Sequence, residues 1–369
     1  MSVKIVLGAA YGDEGKGLMV DYFSRHLKDC IVVRFNGGSQ AGHTVVTDKI
    51  RHEFHHFGSG TFVNYPTFLG SDFILNPIMF NREYQTLKSY NPKVIVHNNC
   101  IITTPVDMLL NQLIDKKLNH GSCGLGINET ILRHKILPLT LENYKTFNYA
   151  DLNQYALDRL RKLNIEPSDK LSIDICKYFT NEIETMLLYC RKHNGYEILR
   201  DFDNIIFEGA QGLLLSERYG KMPHCTPSET GSVTTIEICK ELNLENIEIC
   251  YVTRAYTTRH GAGELEGETT KDEMGLKIKD ETNVDNVFQG KFRYAPLSVN
   301  LIADAINKDF SAAVERLKPS AIKKSIAVTC LDQISQESHG RIIESLDIKC
   351  GHVEYKSYGN THQNVFKTI

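Results

Sequence analysis

Val3-Lys4-Ile5-Val6-Leu7 is a short apolar run of β type that stops at Gly8, where a glycine-punctuated segment, Gly12-Asp13-Glu14-Gly15-Lys16-Gly17, takes over. From Leu18 to Leu27 the period changes: Leu18, Met19 and Tyr22 share one helical face, with Phe23 beside them. Ile31-Val32-Val33-Arg34-Phe35 is a second apolar run and opens into Asn36-Gly37-Gly38. Strand, glycine loop, helix, strand predicts an α/β fold: a large, mostly parallel central sheet with flanking helices and a phosphate loop of P-loop type. The grammar returns at Val94–Val96, Asn204–Phe207, Ile247–Val252 and Ser325–Val328, each running into a polar or glycine-bearing loop. In open α/β sheets ligands bind beyond the carboxyl ends of the strands, so these loops are expected to converge on one site. Residues 140–200 are charged, poor in glycine and helical in spacing, which predicts a helical insertion or subdomain packed on the sheet. With no repeat, low-complexity tract or linker dividing the chain, one domain over residues 1–369 is expected.

Composition narrows the function classes. At 41% hydrophobic and 24% charged, the 369 residues match an ordinary globular protein, which excludes a disordered or collagen-like chain. Lys+Arg 42 against Asp+Glu 45 leaves a net charge of −3, so no bulk positive field favours nucleic acid as a partner. The ten cysteines are scattered and no two stand as C-x-x-C, which argues against a zinc ribbon or a dithiol redox pair. The opening residues lack a secretory pattern, and no apolar run approaches the ~20 residues that span a bilayer. A reduced, cytoplasmic protein without membrane contact is expected.

The glycines at 8, 12, 15 and 17 would let backbone N–H groups approach a phosphate, with a helix N-terminus behind them and Lys16 as a point charge. This is not a Walker A loop, because Gly17 stands where Ser or Thr would hold Mg²⁺. Asp13 and Glu14 repel phosphate unless a divalent ion or a proton transfer requires them. In the second loop, Asn36 to Thr44, His43 can act as proton donor or as a cation toward a transferring phosphoryl group, against the plainer role of a satisfied polar residue. Gln211, flanked by small residues in Phe207-Glu208-Gly209-Ala210-Gln211-Gly212, can donate and accept at a planar base edge, and Thr226 and Ser228 suit a phosphate. The stretch from Thr253 to Gly263 adds two arginines, Arg254 and Arg259, suited to carboxylate or phosphate.

Together G-D-E-G-K-G, F-N-G-G-S-Q-A-G-H-T, E-G-A-Q-G and A-Y-T-T-R-x-G-A-G, in that order, closely resemble the adenylosuccinate synthetase family. The resemblance implies an Mg²⁺-dependent ligase that joins a 6-oxopurine nucleotide to L-aspartate, driven by a nucleoside triphosphate, and it implies a homodimer. By motif, Asp13 would be general base and metal ligand, the Gly42 carbonyl would complete the metal site, and His43, Lys16 and Gln211 would act in catalysis. Gly12, Glu14, Gly15, Lys16, Gly17, Gly42 and Thr44 would hold the nucleotide phosphates. The acceptor nucleotide would meet Asp13, Gln40, Gln211, Thr226 and the Ser122-Cys123-Gly124 loop, where Cys123 replaces a family threonine. Arg133 would match the arginine that reaches into the partner subunit's site.

Several positions depart from the family pattern. Gln289, Gly290, Lys291 and Arg293 stand for an arginine-rich stretch and, with Thr257 and Arg259, would bind aspartate. Gln40 replaces an asparagine next to the purine, and Gly58 replaces a proline. On the donor side Cys330 replaces the lysine of T-K-L-D, Asp332 is kept, and Ser357, Gly359 and Asn360 stand for S-x-G-P, leaving ATP, dATP or GTP open. This set resembles the phage-type branch, 2-aminoadenylosuccinate synthetase, which acts on dGMP in a host cytoplasm; dGMP is the favoured acceptor and IMP the alternative. A binding regulator without catalysis is the other class, disfavoured because Asp13, Lys16, His43 and Gln211 are all present.

Overall fold

The structure is a computed structural model that describes residues 1–118, 122–167, 176, 178–278, 292–317 and 321–368. Its sixteen described strands are β1 (Ser2–Gly8), β2 (Cys30–Arg34), β3 (His43–Val46), β4 (Arg51–Phe54), β5 (Thr67–Leu69), β6 (Ile74–Leu75), β7 (Val94–His97), β8 (Ile101–Ile102), β9 (Cys190–His193), β10 (Asn204–Gly212), β11 (Ile247–Arg254), β12 (Tyr256–Arg259), β13 (Arg293–Pro296), β14 (Ile322–Thr329), β15 (Val353–Ser357) and β16 (Val365–Lys367). Ten of them form one sheet in the order β16-β15-β14-β11-β1-β10-β2-β5-β7-β9, parallel throughout except for β16 on β15. Short two-stranded pairs, β3–β4, β6–β8 and β12–β13, stand apart from it.

The apolar runs at the centre are continuous because both faces of the sheet are covered. Alternation in β1 sends Val3, Ile5 and Leu7 to one core and Val6 to the other. The first core is closed by α7 (Val233–Glu241) and α8 (Val299–Val314), the second by Leu18, Met19 and Phe23 of α1 (Lys16–His26). That helix starts two residues before the predicted Leu18, since Gly15 in the left-handed region turns the chain directly into it.

A third core lies under α2 (Pro77–Leu87), α3 (Pro105–Leu118), α5 (Asp151–Lys162) and α6 (Phe179–Leu187). Helix α2 begins where the Asn76 side chain accepts from Met79 N with a proline in its first turn. The 140–200 stretch is not wholly helical: after α6 it supplies β9, which pairs in parallel with β7 as the edge of the main sheet. Its sequence, Cys-Arg-Lys-His, is half exposed, as a solvated edge strand should be, and carries no apolar alternation to betray it. No helix among the described residues is long and apolar enough to cross a membrane, and all ten cysteines are free.

Candidate active site

Parallel pairing aligns the strand ends. Gly8 of β1 lies beside Gly212 of β10 and Val252 of β11, and Arg254 lies beside Thr329 of β14, so the loops after these strands share one edge of the sheet. In the first loop Gly12, Asp13 and Gly15 all have left-handed φ, and the Glu14 carboxylate turns inward. Glu14 is 2% exposed and accepts from Ala10 N (3.0 Å), Gly12 N (2.8 Å) and Lys16 Nζ (2.6 Å). A Cβ on Gly8 or Gly212 would stand 2.3 or 2.4 Å from that carboxylate, so both glycines are the room it occupies. The Glu14 side chain therefore shapes the loop and pairs with Lys16, leaving its backbone as the part that can meet a phosphate. Gly17 also has a packing cause. A Cβ there would lie 2.9 Å from the Thr44 carbonyl, so no Ser or Thr fits and α1 presses against β3.

Asp13 faces the other way. Its φ of 61° is unusual for a residue with a Cβ, and Arg254 Nε holds its backbone carbonyl at 2.5 Å. The side chain is 31% exposed, with Oδ2 3.3 Å from His260 Nε2. Partial burial raises the carboxyl's pKa, but the hydrogen bond and charge of His260 and the charges of Arg254 and Lys16 outweigh it and leave Asp13 below the usual carboxylate range. His260 is the unspecified residue of the A-Y-T-T-R-x-G motif, and no sequence signal assigned it a role.

His43 begins β3 and is buried. Its Nδ1 lies 2.6 Å from Glu208 Oε1, while its Nε2 is buried with no hydrogen-bond partner among the described residues. Ser59 donates its hydroxyl to the same Glu208 oxygen and its N–H to the other at 3.0 Å. Burial and the Arg34 charge push the His43 pKa down to about 4 against the pull of Glu208, so the imidazole is neutral at pH 7. The hydrogen bond to Glu208 fixes the tautomer, with the proton on Nδ1 and the Nε2 lone pair directed away from Glu208. Burial alone would raise Glu208, but His43, Arg34 and Ser59 hold it at about 2, fully ionised. Glu208 was legible only as a letter of E-G-A-Q-G; an acid inside an apolar strand was the available signal.

The acceptor loops are brought together by the second glycine loop. Gly37 packs on Ala210, and Gly38 sits against the Ile74 carbonyl and the Ile127 side chain, just past the Ser122–Gly126 loop. Asn36 accepts from Ala210 N (2.8 Å) and donates to the Glu229 carbonyl (2.7 Å), tying in the segment that carries Thr226. Gln40 has both amide atoms buried and unpaired among the described residues, and Gln211, with a left-handed φ of 63°, has its Oε1 unpaired. Ser122 gives its hydroxyl to Asp115 and accepts from Asn111 Nδ2 at 2.9 Å. Burial pushes the Cys123 thiol up to about 11, so it is protonated. Thr226 Oγ1 accepts from Ser228 N at 3.3 Å. On the donor side Thr329 Oγ1 donates to the Glu14 carbonyl (2.7 Å), which sets the turn bearing Asp332 against the first loop, and Ser357 donates to the Gly359 carbonyl beside Asn360 (2.7 Å).

Two arginines are not where the motif match put them. Arg133, on α4 (Ile127–His134), is fully buried; it bonds Asp107 (2.9 Å), the Leu137 carbonyl (2.8 Å) and the Ile102 carbonyl (2.6 Å), so it cannot reach a partner's site. Arg293 forks onto Glu268 and spans the Gly261 and Gly263 carbonyls, which spends its guanidinium on the turn after His260. Arg259 gives Nη1 to the Glu264 carbonyl (2.7 Å) and Nη2 to the His224 carbonyl (3.1 Å), and its Nε is buried with no partner among the described residues. Thr257 donates to the Pro296 carbonyl at 3.4 Å. Gln289, Gly290 and Lys291 lie outside the described residues.

A family model for adenylosuccinate synthetase matches residues 5–294. The chain is 30% identical over 295 residues to the adenylosuccinate synthetase of Picrophilus torridus, covering 74% of this chain and 67% of that one. The fold is similar to a fully ligated adenylosuccinate synthetase from Plasmodium falciparum, with a TM-score of 0.78 at 18% identity and 100% coverage of both chains. It is also similar to the succinoaminodeoxyadenylate synthetase of cyanophage S-2L, solved with dGMP and dATP, with a TM-score of 0.72 at 17% identity over 100% of this chain and 95% of that one.

Proposed function

Because this chain belongs to the adenylosuccinate synthetase family, whose members are carbon–nitrogen ligases, we propose that it condenses dGMP with L-aspartate at the expense of a nucleoside triphosphate. The observation that carries this reading is Asp13: an ionised carboxylate at the mouth of the glycine loop, with the unpaired His43 Nε2 and two unpaired amides on the adjoining loops. Asp13 takes the N1 proton, and the charge left on O6 attacks the γ-phosphorus. The bond from the γ-phosphorus to the bridging oxygen breaks, and the diphosphate leaves. The aspartate amine then adds at C6, loses a proton and expels phosphate. Phosphoryl transfer asks chiefly for positioning and charge stabilisation. His43, which takes a proton from water as the triphosphate's negative charge raises its pKa, meets the departing diphosphate. Lys16 supplies the fixed positive charge of the loop, and Gln211 meets the O6 side of the base.

Mg²⁺ fits these residues. Asp13 and the Gly42 carbonyl are hard oxygen donors, and no cluster of three or more His, Cys, Asp or Glu competes for a metal among the described residues. Such a sparse protein set suits an ion that takes its remaining ligands from phosphates and water. When bound, Mg²⁺ would neutralise charge on the triphosphate.

The dGMP assignment rests on the departures from the family pattern, foremost Gln40, which stands where the family has an asparagine next to the purine. That a protein of similar fold from a cyanophage was solved with dGMP and dATP supports this reading. IMP with GTP is the second reading, favoured by retention of Asp13 and by the name the sequence relatives carry. Either acceptor is compatible with a homodimer, and the burial of Arg133 against Asp107 speaks against that residue as the one that crosses it. The test is aspartate-dependent phosphate release with dGMP and IMP in parallel, each with ATP, dATP and GTP plus Mg²⁺. Preference for dGMP supports the proposal, preference for IMP replaces it with the second reading, and nucleotide binding without aspartate-dependent release removes both.

A further inference from the structure

We infer that His260 is a positioning residue for the base: its Nε2–H donates to Asp13 Oδ2 and holds the carboxylate so that Oδ1 is the oxygen left to take the N1 proton. This rests on Asp13 being the base, and not on which 6-oxopurine nucleotide is the acceptor. The two side chains meet at 3.3 Å, with His260 22% and Asp13 31% exposed. A carboxylate only accepts, so the ring nitrogen that faces it must carry the proton. Without that bond Asp13 would be poorly fixed. It stands at the mouth of the loop, where an exposed aspartate moves among staggered rotamers. A base has to come within about 3 Å of the proton it takes.

His260 is itself held from several directions. It follows β12, whose Arg259 lies opposite Arg293 of β13. Arg293 Nη1 donates to the Gly261 (3.1 Å) and Gly263 (2.8 Å) carbonyls, and Arg259 Nη1 donates to the Glu264 carbonyl (2.7 Å), so both strands clamp the turn after His260. On its flank the imidazole packs against Phe292, with ring centroids 4.5 Å apart and planes inclined by 44°. Arg254, at the end of β11, grips the other part of the same residue: its Nε holds the Asp13 backbone carbonyl at 2.5 Å. The short stretch from Arg254 to His260 therefore fixes Asp13 at both backbone and carboxylate. A side chain without a donor at position 260 would keep the first hold and lose the second.

The test separates the donor from the ring. His260→Phe keeps the packing on Phe292 and removes the donor, whereas His260→Gln removes the ring and offers an amide N–H in the region of Nε2. With whichever acceptor and triphosphate the wild type turns over, His260→Phe is expected to lower kcat by about tenfold. Both nucleotide KM values should stay within about twofold, since the lost contact is to the base and not to a substrate. His260→Gln is expected to recover most of the loss. A packing role predicts the reverse order, with Phe active and Gln impaired, and that order would overturn the proposal; so would equal losses in the two variants, or none. Should His260→Phe fail to fold, His260→Met is the donor-free variant and the same criteria apply. Asp13→Ala is run beside them. If it keeps turnover, or if the wild type shows no aspartate-dependent turnover, the base reading falls and this inference with it. If Asp13→Ala is inactive while the donor-free variant keeps full kcat, His260 alone is overturned.

Discussion

Replacing Glu208 by glutamine should lower kcat by roughly 10- to 150-fold while KM for the triphosphate changes little. Glu208 holds His43 Nδ1 at 2.6 Å, and both its oxygens are engaged by His43 and Ser59. Glutamine can keep the His43 bond through its oxygen, but its NH₂ then meets the Ser59 N–H, donor against donor. It also removes the negative charge. In the resting site His43 is neutral, with a pKa of about 4, so most of that charge's value appears only when the imidazole becomes cationic against a departing phosphate. A hydrogen bond to a charged group contributes about 1.5–3 kcal/mol, and each ~1.4 kcal/mol is tenfold in rate. Because the interaction is made in the transition state, kcat carries the loss. The assay is aspartate-dependent phosphate release by Glu208→Gln, His43→Asn and the double variant. Glu208 acts through His43, so the double variant should be no slower than His43→Asn alone, itself reduced by roughly 10²–10⁴-fold. Multiplicative losses in the double variant, or a Glu208→Gln enzyme altered only in KM, would refute the coupling. Arg34 loses a compensating charge in this variant, so rates are read well below the variant's own melting temperature.

Asp13→Ala should nearly abolish turnover while dGMP and triphosphate still bind; unchanged turnover in a steady-state assay would remove Asp13 as the base. Stability should fall as pH drops from about 6.5 to about 4, because the unfolded chain takes a proton on His43 that the folded site resists. The difference is about 3 kcal/mol. Glu208 loses its share only lower, between its ordinary 4.5 and about 2, so His43→Asn should flatten the upper limb in denaturant melts, and an equally steep limb would contradict the assignment. Arg133→Met should change stability without making a site deficient in trans: mixing its subunits with Asp13→Ala subunits should restore no activity, whereas recovery on mixing would return Arg133 to the interface.

What the chain's pattern disclosed and what it hid divide along physical lines. The run from β1 to β2 was legible because the hydrophobic period changes at a glycine loop, and parallel pairing then obliges the later strand ends to meet there. Edge strand β9 was not, since half-exposed Cys-Arg-Lys-His carries no period. Arg133 was misplaced because spacing to a motif says nothing of Asp107 on another helix, whose buried carboxylate captures it.

The two carboxylates of the first loop are the sharpest case. Adjacent in sequence, both should repel phosphate, and nothing local distinguishes them. The structure separates them by room and by backbone hand. Gly8 and Gly212 vacate the space that the Glu14 carboxylate fills, where Ala10, Gly12 and Lys16 satisfy it. The left-handed turn at Asp13 lies beside His260, Arg254 and Lys16, whose combined effect keeps its carboxylate ionised. Gly212, met in the sequence as part of a base-binding motif, therefore does its work on the other loop. A side chain there would displace Glu14, free Lys16, and rebuild the phosphate loop from a strand away.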